Sequence, residues 1–378
     1  MSGAAILKLV SSSSHRPEMV TVEHDVPFGT SCIWALQTEF FVERGPEAWK
    51  RDGVPSYITS NPVMASTYAG IIGAWAGRLG GPPAIVELGA GSGALAFRVL
   101  KALAGTERSI RYVMTDVAEE NLAAWRAHPR LSPYVESGVL DFAYFDARDP
   151  RPLKLRESGE VLDAGSDLSG VAVLGNYFLD SIPQDLFYVK DGTLSEALCT
   201  VLSRGEPAEA PLADRLNRLE FQFSTRRMEG SPYGDFRLDA LVEWYRTHLR
   251  EAYVLVPAVA IGALEFLGTL AAGPLLGLFA DKGRWRGEDL EGSGPPVPAH
   301  HGSFSIEVNF HAHAAHCAAA GGTALLPSGS LPGITVACFD YGSTGIEETY
   351  RSLVDGRGPE EVFRAVNDAI PDLAGKSL

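Results

Sequence analysis

The stretch Ala84-Ile85-Val86-Glu87-Leu88-Gly89-Ala90-Gly91-Ser92-Gly93-Ala94-Leu95 decides how the rest of the chain is read. Ala84 to Leu88 read as a short buried strand, the three alternating glycines as a tight turn, and Ala94-Leu95 as the start of a helix. Glycine permits positive φ and lets a ligand approach the backbone, while the unpaired N–H groups of the first helical turn face the same space. A strand, glycine turn and helix in that order form a ligand cradle in an α/β sheet. As a dinucleotide fingerprint the match is poor, because Gly89 to Gly93 is one residue short of G-x-G-x-x-G.

Working outward, short apolar runs alternate with helical stretches from Pro83 to Val189, and AIVEL, IRYVMTD, FAYFD and VAVLGNY read as strands. Strands spaced by helices imply parallel crossovers, and runs apolar on both faces suit a sheet covered on both sides. From Thr30 to about Leu79 the pattern is helical, with a Gly/Pro-rich break at RDGVPSYITSNP. Between Asp191 and Arg250 the rhythm is lost. That stretch is charged and closes in an amphipathic helix with Leu238, Leu241, Val242 and Tyr245 on its buried face, so it reads as an insertion over the sheet's edge. Tyr253 to Asp281 is apolar, but Pro257, Gly262, Glu265, Gly273 and Pro274 interrupt it, which argues for a βαβ unit over a membrane span. Asn309 is placed to cap a helix that Gly321-Gly322 ends, and Thr335 to Tyr341 reads as a late strand.

The fold class expected is α/β, with a doubly wound, mostly parallel sheet. Residues 1–80 form a leader and N-terminal helical cap, and 81–190 the ligand-binding core. Residues 191–250 form an inserted cover segment, and 251–378 the remainder of the core with C-terminal helices.

Bulk properties narrow the functions. A net charge of −15, from 47 acidic and 32 basic residues, opposes a phosphate backbone, so no nucleic acid is expected as partner. The four cysteines, Cys32, Cys199, Cys317 and Cys338, form no CxxC pair and suit a reducing cytoplasm. The first residues, MSGAAILKLVSSSSHRPEM, carry too short an apolar run for a signal peptide and read as a disordered leader. Their serines leave a mitochondrial address open.

The acid in the first strand separates two ligand classes. A carboxylate near a pyrophosphate gains nothing, whereas one near an ammonium makes charge-assisted hydrogen bonds. With Glu87 ahead of Gly89, Ala90, Gly91, Ser92 and Gly93, the turn resembles the E-x-G-x-G of methyltransferases that bind S-adenosyl-L-methionine. The resemblance implies a class I methyltransferase sheet. It also implies a ribose-binding acid at the end of the second strand, Asp116 with Val117 beside it, and an adenine-side acid after the third, Asp146 with Ala147. Asp116 also suits a helix N-cap, and Asp146 a plain loop acid.

Taken with the segments around it, the chain resembles the MidA family, methyltransferases tied to assembly of mitochondrial respiratory complex I. The likeness runs from about Tyr57 to Gly322. Tyr57-Ile58-Thr59-Ser60-Asn61-Pro62 is similar to the family's F-x-T-S/A-P-E, which puts Thr59 and Ser60 at the cofactor. Val86 to Leu103 is similar to V-E-L-G-A-G-x-G-x-L-x-x-D-x-L, and Gly175 to Pro183 to A-N-E-x-x-D-A-L-P. Phe279-Ala280-Asp281-Lys282-Gly283 resembles I-D-Y-G, and Glu307-Val308-Asn309-Phe310 resembles H-V-D-F. The family implies methylation of a protein arginine, whose guanidinium is best held by paired carboxylates. Here the glutamate of N-E-x-x-D is Tyr177, the tyrosine of I-D-Y-G is Lys282, and the acid of T-S-P-E is missing.

Methyl transfer asks the protein to position a nucleophile and, where needed, take its proton. Asn176, Tyr177 and Asp180, at the end of the fourth strand, are the catalytic candidates, with Asn176 shared with the cofactor and Asp180 facing the acceptor. The acceptor is either a partner protein or a small molecule of a biosynthetic pathway, and the alternative to an enzyme is a non-catalytic, cofactor-binding assembly factor. A homodimer is also an expectation. The histidines invite a metal reading, but on a helix after Asn309 only His313 and His316 would share a face, and no metal is expected. His300 and His301, on a loop before a strand, are candidate bases at the site's mouth. No G-x-S-x-G elbow and no P-loop lysine is present.

Overall fold

The computed structural model describes residues 19–49, 57–104, 110–205, 212–329 and 333–359. The leader at 1–18, the break at 51–56 and the C-terminal segment from 360 lie outside the described residues. Along the chain, β1 (Met19–Pro27) is followed by α1 (Cys32–Arg44), a 3-10 turn (Gly45–Trp49), α2 (Tyr57–Ser60) and α3 (Pro62–Ala76). Next come β2 (Ala84–Glu87), α4 (Ala94–Leu103), β3 (Arg111–Asp116), α5 (Glu119–Arg126), α6 (Ser132–Glu136) and β4 (Leu140–Tyr144). The short pair β5 (Leu153–Lys154) and β6 (Val161–Leu162) leads to β7 (Val171–Asn176), β8 (Asp185–Lys190) and β9 (Thr193–Arg204). After α7 (Leu212–Leu216), β10 (Leu219–Arg227) and α8 (Phe236–His248) come β11 (Glu251–Val256), α9 (Ala258–Gly268) and β12 (Leu275–Arg284). The chain continues through β13 (Ala299–His301), β14 (Ser303–Ser305), β15 (Val308–Asn309), α10 (Phe310–Ala319), β16 (Thr323–Leu325), β17 (Ile334–Asp340) and α11 (Glu347–Val354).

The main sheet has the order β16-β17-β12-β7-β2-β3-β4. Pairings from β12 through β4 are parallel, while β17 runs antiparallel to both β12 and β16. Chain order turns round between β2 and β7, because β3 and β4 extend one way and β12 the other. An open sheet leaves a crevice at such a point, beyond the carboxyl ends of its strands. Every residue of β2 is buried. Ile85 packs with Tyr68, Trp75 and Leu100 of α3 and α4, and Val86 packs on the other face with Leu264 and Leu267 of α9. Alternate side chains thus feed two cores, and each fully buried aliphatic contributes about 1.5–3 kcal/mol.

Three expectations are corrected. Tyr253 to Asp281 is no βαβ unit, because β11 pairs antiparallel with β8 while β12 belongs to the main sheet, so α9 joins two sheets. The burial pattern gives the reason: β11 alternates between fully buried residues and exposed or partly buried ones, whereas β12 is buried from Leu275 to Asp281. An apolar run alone does not distinguish them. The stretch 191–250 does not lie over the main sheet's edge as one insertion. Its strands β9 and β10 build a second, antiparallel sheet ordered β1-β9-β8-β11, with β10 also on β9, so the unit extends beyond both boundaries. Finally, Met19–Pro27 is a strand where only leader and helix were expected, because its partner, β9, is far away in sequence. The helix ending that stretch does bury Leu241, Val242 and Tyr245, and Asp235 caps it by accepting from the Arg237 and Leu238 N–H groups. Among the described residues, no helix is long and apolar enough to cross a membrane.

Candidate functional site: a crevice at the switch point

The glycine turn leaves β2 at the reversal of strand order. Gly89, Gly91 and Gly93 have φ of +59°, +51° and +73°, which side-chain-bearing residues rarely adopt. The turn is tied down from behind. Ala90 N donates to Thr115 O at 2.9 Å, and the Trp125 indole donates to Gly91 O at 2.8 Å. Gly91 N donates to the Asp116 carboxylate at 3.1 Å. A Cβ on Gly93 would come within 2.9 Å of Met114, and one on Gly91 within 2.6 Å of the Trp49 ring.

Behind the turn stand two buried acids. Glu87 accepts from the Tyr112 hydroxyl at 2.7 Å. Burial pushes its carboxyl up to about 8, with the Tyr112 hydrogen bond opposing and neighbouring Asp116 adding to the rise. Burial also raises Asp116, against N–H donors from Ala118 and Gly91 and the Asn121 side chain. Asp116 therefore both clamps the glycine turn and caps the chain after β3, where Ala118 N lies 3.0 Å away. Asp146 is held by Arg148 in a two-pronged ion pair. Burial raises its carboxyl, but the Arg148 hydrogen bonds outweigh that and the net shift is down. In this structure Asp146 is a paired loop acid that also lines the crevice.

Apart from Gly93, which is turned against Met114 and Trp125 and lines neither, the candidate cofactor residues fall into two adjoining cavities. Thr59, Ser60, Glu87, Gly89, Ala90, Gly91, Ser92 and Asn176 line the first. Asp116, Val117, Phe145, Asp146 and Ala147 line the second. Trp49, Gly89 and Tyr177 border both. Asn176 is fixed between the elements, its amide nitrogen donating to Thr59 O at 2.9 Å and its oxygen accepting from Tyr68 at 2.6 Å. Ser60 contributes its carbonyl to Arg98 at 2.9 Å.

The three catalytic candidates do not face one space. Tyr177 has φ of +51°, an unusual conformation for a bulky residue, with its N–H donating to Ala280 O at 3.1 Å. With Phe178, Ser181, Ile182 and Pro183 it lines the crevice. Asp180 lies between these residues, on a 3-10 turn (Leu179–Ser181), yet lines a different cavity with Lys282, Arg284, Glu307 and Asn309. One hydrogen bond links the two sides, from the Ser181 hydroxyl to Asp180 at 2.8 Å. Burial raises the Asp180 carboxyl to about 7.

Sequence reasoning gave no role to Asp281. It is fully buried in β12, accepts from Leu179 N at 3.1 Å, and leaves its other oxygen without a partner among the described residues. Burial and then repulsion from Asp180 drive its carboxyl well up from the usual carboxylate range. The signal was present in the resemblance: the segments around Asp180, Lys282 and Asn309, far apart in the chain, converge on one cavity. Trp49 and Tyr112 had no such signal.

The histidines divide. His313 is buried beside Phe279, Phe310 and Phe339, neither ring nitrogen has a partner among the described residues, and burial lowers its pKa to about 3. His316 lies 3.0 Å from Glu265, and His311 lies 3.1 Å from the Tyr245 hydroxyl. His313 and His316 therefore serve different surroundings. His300 and His301 sit in β13, a strand paired with β14, where a loop was expected. Among the described residues, no three His, Cys, Asp or Glu side chains gather as a metal set.

No protein family and no curated protein matches the chain. Solved structures do. The chain is similar to a Burkholderia thailandensis protein crystallised with S-adenosyl-homocysteine, at 16% identity and a TM-score of 0.47, over 80% of this chain and 81% of that one. A second protein from the same organism matches at 17% identity and a TM-score of 0.45, over 80% of each chain. Mitomycin 7-O-methyltransferase matches at 14% identity and a TM-score of 0.30, over 73% of this chain and 54% of that one. These likenesses are too distant to assign residues.

Proposed function

We propose that this chain is an S-adenosylmethionine-dependent methyltransferase whose cofactor site is the crevice at the switch point. The observation that carries the reading is the glycine turn, held at positive φ between two buried acids of different surroundings. The residues present fit that cofactor. The glycines add no side chain of their own to a turn already packed by Trp49 and Phe178, and Glu87 is a carboxyl that a cationic group would ionise and hold. Asp116, at the end of β3, can accept from ribose hydroxyls, and Val117, Phe145 and Ala147 offer an apolar bed for a base. Thr59 and Ser60 close the Glu87 side. When bound, S-adenosylmethionine supplies a methyl group activated on a sulfonium. The chain's own part is to orient the acceptor with Asn176 and Tyr177 on the crevice side and to take a proton on Asp180, which lines the neighbouring cavity, is joined to the crevice by the Ser181 hydroxyl and has a raised pKa suited to a base near neutrality.

For the acceptor, the resemblance suggests an arginine of a partner protein. One observation favours a small molecule. The cavity reached by Asp180 is rimmed by Lys282, exposed and without an ion-pair partner among the described residues, and by Arg284, paired with Glu307 at 3.0 Å. A spare cation repels a guanidinium and attracts a carboxylate or phosphate. The test is to supply isotopically labelled S-adenosylmethionine to a lysate and separate proteins from metabolites before mass spectrometry. Label in an arginine supports the first reading, label in an acidic metabolite the second, and label in neither overturns both.

A further inference from the structure

Trp49 reaches the crevice from the N-terminal segment, at the end of the 3-10 turn after α1. Its indole N–H is buried and has no partner among the described residues. Burying an unsatisfied donor is costly, and such donors are uncommon in native proteins. The Trp75 indole is also without a partner, but that ring lies wholly inside the α3 core, whereas Trp49 is half-buried and borders both crevice cavities. The Trp49 ring stacks on Phe41, with centroids 5.9 Å apart and planes 20° apart. It covers Gly91 so closely that a Cβ there would meet its ring at 2.6 Å and Nε1 at 3.0 Å. The indole edge is thus turned toward the glycine turn, the one stretch whose backbone must remain open to a ligand.

We propose that Trp49 completes the cofactor site, its ring packing over the glycine turn and its N–H donating to the carboxylate of the cofactor's amino-acid end. This rests on the function proposed above. The carboxylate is the acceptor assigned because Glu87, on the same side, serves the ammonium, and no other indole faces that cavity.

The experiment compares wild type with Trp49→Phe, which keeps an aromatic ring against Phe41 and removes only the donor. Calorimetry is run with S-adenosylhomocysteine and with methylthioadenosine, which lacks the amino-acid end. The expected result is a loss of about tenfold to a hundredfold in S-adenosylhomocysteine affinity, the scale of a hydrogen bond to a charged group. Methylthioadenosine affinity should change less than threefold, and the unliganded melting temperature should hold or rise, since no partner is lost. In wild-type protein labelled with 15N-tryptophan, the Trp49 indole resonance should move downfield on adding S-adenosylhomocysteine, which keeps the test available if the variant folds poorly. Unchanged affinity, equal losses for both ligands, or an unmoved indole resonance would overturn the assignment. Wild-type protein that binds neither ligand would instead overturn the function on which it rests.

Discussion

Two pairs of buried carboxyls flank the switch point, and they are built in opposite ways. On one side Glu87 ends β2 and Asp116 ends β3; on the other Asp180 follows β7 and Asp281 lies in β12. The first pair is furnished locally, Glu87 by the Tyr112 hydroxyl and Asp116 by N–H groups within the glycine turn and the chain after β3. The second is assembled across the fold. Asp281 takes backbone N–H groups from Tyr177, Phe178 and Leu179 of the turn after β7; they oppose its burial and its repulsion from Asp180 without overcoming them, and one of its oxygens has no partner among the described residues. A carboxyl satisfied by its own turn holds a structure and a ligand, whereas two carboxyls buried against each other resist ionising together and suit proton exchange. On this account the first pair serves the cofactor and the second serves the acceptor.

The sharpest way to break the comparison is Asp180→Asn. It preserves size and the hydrogen bond to Ser181 while removing the base, so turnover should fall by about 10²–10⁴-fold with cofactor affinity within a few-fold of wild type. Equal losses of turnover and affinity would show that both acid pairs belong to one site. Next in size is Asp116→Ala. Cofactor affinity should weaken by about 1.5–3 kcal/mol, and unliganded stability should also fall, because the Gly91 and Ala118 N–H groups lose their acceptor. Full affinity in that variant would remove Asp116 from the cofactor site and leave it as a clamp.

The same contrast governs what the sequence discloses. The glycine turn, Glu87 and Asp116 fall within one strand–turn–helix–strand unit, where periodicity and glycine chemistry act at short range, so their nearness to one another was legible. So was the mostly parallel sheet, because strands buried on both faces read as continuous apolar runs. The second sheet was not legible. Its centre is a local hairpin, β8 and β9 joined at Asp191-Gly192, but β1 on β9 and β11 on β8 pair with segments from distant parts of the chain, and β11 has an apolar run no different in kind from that of β12. Asp180 was named as a candidate, but its pairing with Asp281 suffers the same limit, since only packing brings β7 against β12. Trp49 is the extreme case: nothing local marks a tryptophan after Gly45-Pro46 as the cover of a glycine turn.

Smaller effects appear with pH. Asp180, raised to about 7, is protonated below that value, so if it is the base, turnover should rise as pH climbs through about 7 and then level off. On the reading that Asp180 titrates by itself, Asp281→Asn should leave that midpoint in place. A midpoint that moves would make the two acids a single titrating unit. For Glu87 the sign runs against the fold. Its carboxyl sits at about 8 in the folded protein and near 4.5 otherwise, so the native state keeps a proton that the unfolded chain releases. Stability contributed through Glu87 is therefore present at low pH and declines between about 4.5 and 8. Glu87→Gln should flatten the fall of the unliganded melting temperature across that window, and an unchanged slope would place the cost elsewhere.

The central claim is that the glycine crevice binds the methyl donor, and calorimetry of S-adenosylhomocysteine with the wild-type chain tests it most directly. One ligand should bind per chain, with a proton released near pH 7 as Glu87 ionises against the ammonium, seen as a dependence of the heat on the buffer's ionisation enthalpy. A titration without heat, together with a melting temperature that excess ligand does not raise, would contradict the account.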